Sequence, residues 1–312
     1  MRVDYAMMPA FRRGALVVIA AAVVMSNAFQ AEQIAPAFER GEFPLKWSPD
    51  SSDCAGAAPF LTHQYNAGFI ILRQSGCTNF EKPFLYLLLG AREALLVDTG
   101  ARGAEPSGVV DGLLRAHARR QQQPELPLLV VHSHGHGDHT AGDAALRGRT
   151  STRVVDGTPR AVAQFFAMQD WPRGLAQYDL GDRVLDIIPI PGHEVASIAI
   201  YDRRTGLLLT GDTLYPGRLY VRDGEAFRHS IDRLVDFTAA RGVAHVLGAH
   251  IENTRTPYVD YPEGTAFQPD EHPLELGRAH LLELQLALRD MAPQLERRRF
   301  RDFTVWPVAP GQ

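Results

Sequence analysis

The chain of 312 residues is short of several things, and each shortage removes a class of function. It has two cysteines, Cys54 and Cys77, too few for a Cys-rich zinc module or a dense disulfide scaffold. It has no Lys/Arg-rich run, and its formal net charge is −4 at pH 7. A phosphate backbone needs a basic surface, so a nucleic-acid partner is not expected. The longest apolar run, Gly14 to Met25, is about half of the roughly 20 residues that a membrane-spanning helix needs. There is no internal repeat and no low-complexity segment, which removes solenoids and arrays. What remains is 45% hydrophobic and 22% charged, ordinary for a soluble globular protein of one large or two ordinary domains.

The first 28 residues read as a targeting segment. Arg2, Arg12 and Arg13 precede the apolar run, and Ser26-Asn27-Ala28 places small residues where a signal peptidase reads. This predicts a signal peptide over residues 1–28 and a mature chain in the periplasm or outside the cell, with no stable membrane insertion. An uncleaved N-terminal anchor is the alternative, and Arg12-Arg13 also permits twin-arginine export. Losing residues 1–28 removes three Arg and one Asp, which takes the net charge to −6. In an exported chain, Cys54 and Cys77 are expected to form a disulfide. They flank an apolar candidate strand, residues 64 to 74, so the segment before it must fold back.

The most informative stretch is Ser133-His134-Gly135-His136-Gly137-Asp138-His139. Four metal-binding side chains fall within six residues, directly after Leu128-Leu129-Val130-Val131, which reads as a short buried strand. His134 and His136, two apart on extended chain, point the same way and can share one ion. Asp138 and His139 lie past the turn and aim at a second. The two glycines are expected to turn the backbone where a side chain would obstruct it. Imidazole with carboxylate suits zinc, iron or manganese. His132 reads as a packed strand residue, because a register starting there puts Gly137 where a ligand is needed.

This motif resembles the His-x-His-x-Asp-His signature of the metallo-β-lactamase superfamily. The resemblance continues in order through Val97-Asp98-Thr99-Gly100, Pro191-Gly192-His193, Thr210-Gly211-Asp212-Thr213 and Gly248-Ala249-His250. Two departures, Ala196 and Ala249, remove no ligand. Gly211-Asp212-Thr213-Leu214-Tyr215 is most similar to the family's thioesterase (glyoxalase II-like) branch.

The resemblance implies an α/β (α+β) fold, a four-layer αββα sandwich with the site at one edge. It implies one metal on His134, His136 and His193, and a second on Asp138, His139 and His250. Asp212 would bridge them, and Asp98 would orient a ligand histidine. Two divalent ions are implied, zinc first, with iron or manganese also fitting. Asp138 and Asp212 are then the catalytic carboxylates, with a metal-bridging hydroxide as nucleophile. The implied substrate is a small ester, thioester or lactone. Alternatives within the family are a class B β-lactamase and a mononuclear iron relative of the persulfide dioxygenases. Tyr215, Arg218, Tyr220 and Tyr258 are candidate substrate contacts; Tyr261 and His272 share the loop after His250. These aromatics are either pocket wall or plain packing.

Apolar runs and amphipathic stretches alternate from residue 64 onward. Strands are expected at 69–72, 84–89, 94–97, 128–131, 153–155, 184–190, 197–201, 207–209 and 243–247. Helices are expected at 109–120, 143–146, 159–168, 231–241 and 274–291. Each candidate ligand then lies just beyond a strand end. Residues 29–255 read as the catalytic domain, and 256–312 as a loop and helix packed on it.

Overall fold

The computed structural model of the chain describes residues 1–2, 38–49 and 51–308. The expected signal peptide lies outside these residues, apart from Met1 and Arg2.

The first sheet contains β1 (Phe60–Asn66), β2 (Phe69–Gln74), β3 (Phe84–Leu89), β4 (Ala94–Val97), β5 (Leu128–Val131) and β6 (Thr152–Val154), in that order across the sheet. Its first four strands run antiparallel, while β4, β5 and β6 are parallel. Three helices fall between its strands: α1 (Ser107–Gln121), α2 (Gly137–Thr140) and α3 (Asp143–Arg147). After α4 (Pro159–Phe165) come β7 (Ala176–Asp179), β8 (Val184–Pro189), β9 (Ile198–Asp202) and β10 (Leu207–Gly211). Then follow β11 (Arg218–Val221), α5 (Gly224–Ala239), β12 (His245–Gly248) and β13 (Glu275–Leu276). The second sheet has the order β13-β12-β10-β9-β8-β7. The chain closes with α6 (Arg278–Asp290), β14 (Arg298–Arg299) and β15 (Thr304–Pro307), and β11-β15-β14 form a third, small sheet.

Side-chain alternation makes the layers. From the first sheet, Ile71, Phe84, Tyr86, Leu88, Val97 and Val131 face inward, onto Leu185, Ile187, Ile198, Ile200, Leu209 and Leu247 of the second. The alternate residues Leu72, Leu85, Leu87, Leu96 and Val130 face outward, onto Val110 and Leu114 of α1 and Leu146 of α3. On the far side, Ile188, Ala199, Leu208 and Val246 pack against Phe227, Ile231 and Leu234 of α5 and Leu281, Leu284 and Leu288 of α6. This is the expected four-layer αββα sandwich. Both faces of each sheet are covered, so the central strands read as continuous apolar runs rather than alternating ones.

Several element boundaries differ from expectation. The strand expected within 64–74 is a hairpin, β1 and β2, that starts at Phe60. Helix α5 begins at Gly224 rather than Ile231, because Asp223 caps it and accepts from the backbone N–H groups of Glu225 and Ala226. Helix α6 begins at Arg278 rather than Leu274, because Glu275 and Leu276 pair with β12 instead. Strands β7, β11, β13, β14 and β15 were not anticipated. The C-terminal residues bind the sandwich through β13, α6 and β15. His272 and His280 both reach Asp302, at 3.1 and 3.0 Å, and so tie loop, helix and hairpin together.

The expected disulfide is present. Cys54 and Cys77 have Cα atoms 5.5 Å apart, and the bond ties the segment before β1 to the loop between β2 and β3. Among the described residues, no helix is long and apolar enough to cross a membrane.

Candidate metal centre

Five strand ends deliver the site. Asp98 follows β4, the His134–His139 motif follows β5, His193 follows β8, Asp212 follows β10 and His250 follows β12. The parallel pairs β4–β5 and β10–β12 carry their ends to the same edge of the sandwich. The local turns need small residues. Gly211 has φ +51°, and a Cβ there would lie 2.7 Å from the Cβ of Ser133. At Gly135 a Cβ would lie 2.4 Å from the Gly157 carbonyl oxygen. Gly137 is different: it opens α2 with free space around it, so only one of the two motif glycines is sterically required.

The seven candidate ligands converge in two sets. His134, His136 and His193 form one, and Asp138, His139, Asp212 and His250 form the other; within each set the ligand atoms lie within 4.8 Å of one another. Asp212 faces both. Its Oδ1 lies 3.4 Å from Nε2 of both His139 and His250. Its Oδ2 lies 3.9 Å from His134 Nε2 and 3.6 Å from His193 Nε2. Asp138 Oδ2 sits 3.1 Å from His139 Nε2 and 3.3 Å from His250 Nε2.

The far nitrogens of four rings are tied down. His193 Nδ1 donates to the Tyr220 carbonyl at 2.8 Å, and His250 Nδ1 donates to the Glu81 carbonyl at 3.0 Å. His139 Nδ1 donates to Asp98 Oδ2 at 2.9 Å. Ser133 Oγ donates to the same carboxylate at 2.8 Å, so it accepts from His134 Nδ1 at 3.2 Å. Each of these rings therefore turns Nε2 toward the centre, the nitrogen that binds metal once it carries no proton. Asp98 also accepts the Ser133 N–H at 2.7 Å, which makes it the support of the motif's first turn, the place expected for it.

The donor set fits divalent metal. Nε2 of His134 and of His193 stand 2.9 and 3.1 Å from His136 Nδ1. Nitrogens that close share either a proton or a metal ion, and three imidazoles converging in this way make a site for the ion. In the other set, buried His139 Nε2 and Asp212 Oδ1 have no hydrogen-bond partner. The two sets differ electrostatically. Burial lowers the pKa of His134, His136 and His193, which keeps them neutral and ready to ligate. Burial also opposes charge on His250, but Asp212 and Asp138 outweigh it and raise its pKa to about 9. His139 is raised for the same reason by Asp138, Asp212 and Asp98. The carboxyls of Asp138 and Asp212, despite burial, are held far below the usual range by His139 and His250.

A cavity of about 320 Å³ opens over the centre, lined by Glu81, Tyr215, Tyr220, Arg222, Glu252 and Trp306 besides the ligands. Tyr215 and Tyr220, two of the candidate substrate contacts, line this cavity. The Tyr215 ring stands 5.6 Å from that of His250, and its hydroxyl donates to the Arg218 carbonyl. Arg218 is committed to packing: it pairs with Glu252 at 3.0 Å and Asp260 at 2.6 Å. Tyr258 is not at the cavity; its side chain is exposed and its backbone bonds to Arg301 and Arg299. His132 is buried and reaches Asp143 at 3.2 Å, a packed residue as expected. Glu81, Arg222, Glu252 and Trp306 carried no sequence signal. Trp306 arrives because β15 pairs with β11 in the register that sets it beside Tyr220.

The family model for the metallo-beta-lactamase superfamily matches residues 80–264, which contain every one of these ligands. The chain belongs to the metallo-beta-lactamase superfamily. Over 132 residues it is 35% identical to a hydroxyacylglutathione hydrolase of Anaeromyxobacter dehalogenans, covering 42% of this chain and 46% of that protein. The match to the Pseudomonas aeruginosa hydroxyacylglutathione hydrolase is 30% over 197 residues, with 61% and 70% covered. The match to the acyl-coenzyme A thioesterase MBLAC2 of Bos taurus is 29% over 201 residues, with 53% and 72% covered. The chain thus spans less than half the length of the first of these relatives. Among solved structures, a metallo-beta-lactamase from Pontibacter korlensis superposes with a TM-score of 0.50 at 16% identity, covering 74% of this chain and 99% of that one. That likeness concerns the fold alone.

Proposed function

We propose that this superfamily member is an exported, dinuclear metal-dependent hydrolase acting on a small ester, thioester or lactone. The observation that carries the reading is Asp212, with one carboxylate oxygen toward each set of ligands. Zinc suits the three-imidazole set and the mixed set alike, and iron or manganese is the alternative. Divalent ions bound there supply Lewis acidity and bring the pKa of a water down toward about 7. Asp98, Tyr220 and Glu81 hold the ligand rings in the required tautomer through their oxygens. Asp138 is the more open of the two central carboxylates, its side chain 24% exposed against 8% for Asp212, so it faces the cavity where a reacting water would lie. Buried Tyr215 walls the cavity behind His250.

The relatives named as hydroxyacylglutathione hydrolase and acyl-coenzyme A thioesterase support thioester chemistry. The complete second set of ligands favours two ions over a single iron. Export is supported by the Cys54–Cys77 disulfide, which persists in oxidising compartments. The test loads the protein with zinc and measures metal content. It then offers a thioester, a lactone, an aryl ester and the β-lactam nitrocefin to the wild type and to Asp212→Ala. Two ions and hydrolysis of a non-lactam substrate, lost in the variant, are expected. Hydrolysis of nitrocefin alone, or a variant with two ions and near-normal turnover, refutes the reading. N-terminal sequencing of exported protein should begin near Phe29; a sequence that still begins at Met1 refutes cleavage.

A further inference from the structure

The cavity over the metal centre does not end there. A second cavity of about 260 Å³ adjoins it, and Glu81, Tyr220, His250, Glu252 and Trp306 line both. The second cavity is closed by the 262–268 loop and also borders Lys82, Arg218, Glu263 and Gln268.

Its charges are unbalanced. Three carboxylates, Glu81, Glu252 and Glu263, face two cations, Lys82 and Arg218, once His250 has become neutral by ligating a metal. Both cations are already occupied. The Arg218 guanidinium is shared between Glu252 and Asp260, and Lys82 Nζ donates to the carbonyls of Phe80 and Thr265, both at 2.6 Å. Glu81 has no hydrogen-bond or ion-pair partner for its carboxylate among the described residues, although its backbone oxygen holds His250. An independent feature points the same way. Gln268 is 4% exposed, and its Oε1 has no hydrogen-bond partner. A buried acceptor without a donor costs free energy, and a ligand N–H removes that cost. The wall between the cavities is aromatic: the rings of Tyr220 and Trp306 lie 5.7 Å apart.

We infer that this side cavity is a subsite for a protonated alkylamine of the substrate, bound by Glu81 and Gln268 against the Tyr220–Trp306 wall. The inference deepens the hydrolase reading, because it makes the amine part of the molecule whose acyl bond is broken at the metals. A substrate arm carrying a carboxylate or phosphate is disfavoured there, since the arm meets the Glu81 carboxylate and finds Lys82 and Arg218 already committed.

The first test is binding, which does not require turnover. Benzylamine, protonated at pH 7.5, and benzyl alcohol are titrated by calorimetry into the zinc-loaded full chain, its Glu81→Gln variant and its Gln268→Leu variant. The amine should bind at least about tenfold tighter than the alcohol to the wild type, and the ratio should fall to about threefold or less in Glu81→Gln. A smaller fall is expected in Gln268→Leu. Equal affinities in the wild type, or a preference that survives Glu81→Gln, overturn the inference. The ratio within each protein is the readout, so a general loss of affinity does not mimic the effect, and an amine that merely binds zinc keeps its preference in the variant.

The second test uses S-acetyl thioesters of 4-(aminomethyl)thiophenol, 4-ethylthiophenol and 4-(carboxymethyl)thiophenol, in which para geometry keeps the amine from attacking its own thioester. The expected order of kcat/KM is amine, then ethyl, then carboxylate. Hydrolysis with no amine preference sinks the subsite and leaves the hydrolase. Amine-selective binding with no hydrolysis of any ester sinks the hydrolase and leaves the subsite.

Discussion

Replacing Asp98 with Asn should damage one metal set more than the other. Asp98 is buried, and its carboxylate accepts three hydrogen bonds: from Ser133 N at 2.7 Å, Ser133 Oγ at 2.8 Å and His139 Nδ1 at 2.9 Å. Its backbone has φ +67°, a conformation that Asn tolerates and Ala does not favour. Asn is therefore the informative substitution. It keeps an oxygen for the Ser133 N–H but puts an NH₂ group against the Nδ1–H of His139. Two donors then face each other, and the ring relieves this by moving its proton to Nε2 or by rotating. Either change withdraws the lone pair aimed between Asp138 and Asp212. Losing a support of this kind weakens metal binding about 10- to 100-fold, or about 1.4–2.7 kcal/mol. The fold should lose about 2 kcal/mol, the cost of one buried donor left without its acceptor. His136 and His193 have no contact with Asp98, and His134 is reached only through Ser133 Oγ, so the three-histidine set should be weakened less than the other. A chelator-competition titration resolves the two affinities, and urea unfolding of the metal-free protein gives the stability. Two affinities both within twofold of wild type would show that Asp98 does not orient His139, and the reasoning would be wrong.

Four further outcomes are expected. His134→Ala should empty the three-histidine set, whereas His250→Ala leaves Asp138, His139 and Asp212 and should keep one tight ion and one weak one; elemental analysis across a zinc titration distinguishes them, and two tight ions in both variants would remove these histidines from the ligand list. At pH 7.5, metal uptake should release two to three protons, about two because His139 and His250 are held charged in the metal-free protein and must become neutral to ligate, and most of one from a water brought to a pKa near about 7, while the other three histidines are already neutral; calorimetry in buffers of different ionisation enthalpy counts them. The same raised values mean that the metal-free protein holds this stabilisation fully below pH 6.5 and loses it as pH rises through about 9, so it should unfold more easily at pH 9.5 than at pH 7. Cys54→Ser should cost about 3 kcal/mol, since the bond closes a loop with a sequence separation of 23; denaturant midpoints that are unchanged would show that the bond adds no stability.

The two clusters of candidate metal ligands were legible in the sequence because their chemistry is local. His134, His136, Asp138 and His139 stand within one turn of chain, and each remaining ligand follows an apolar run that forms a strand. Those runs were readable because helices or the opposite sheet cover both faces of each sheet, which leaves no polar alternation to obscure them. The layered architecture followed from the same pattern together with the family resemblance. Tertiary structure alone decided the rest. Strands of two to four residues such as β13, β14 and β15 have too little sequence to show a period, and they exist because a partner strand supplies their hydrogen bonds. Trp306 reaches the cavity only through the pairing of β15 with β11, some 86 residues away in sequence. Whether Glu81 is free or Arg218 is committed depends on carboxylates and carbonyls brought in from distant segments, and charge in the sequence does not reveal it. That Asp212 turns one oxygen to each set of ligands is likewise a property of the edge where two sheets meet, since no spacing along a single chain encodes the angle between them.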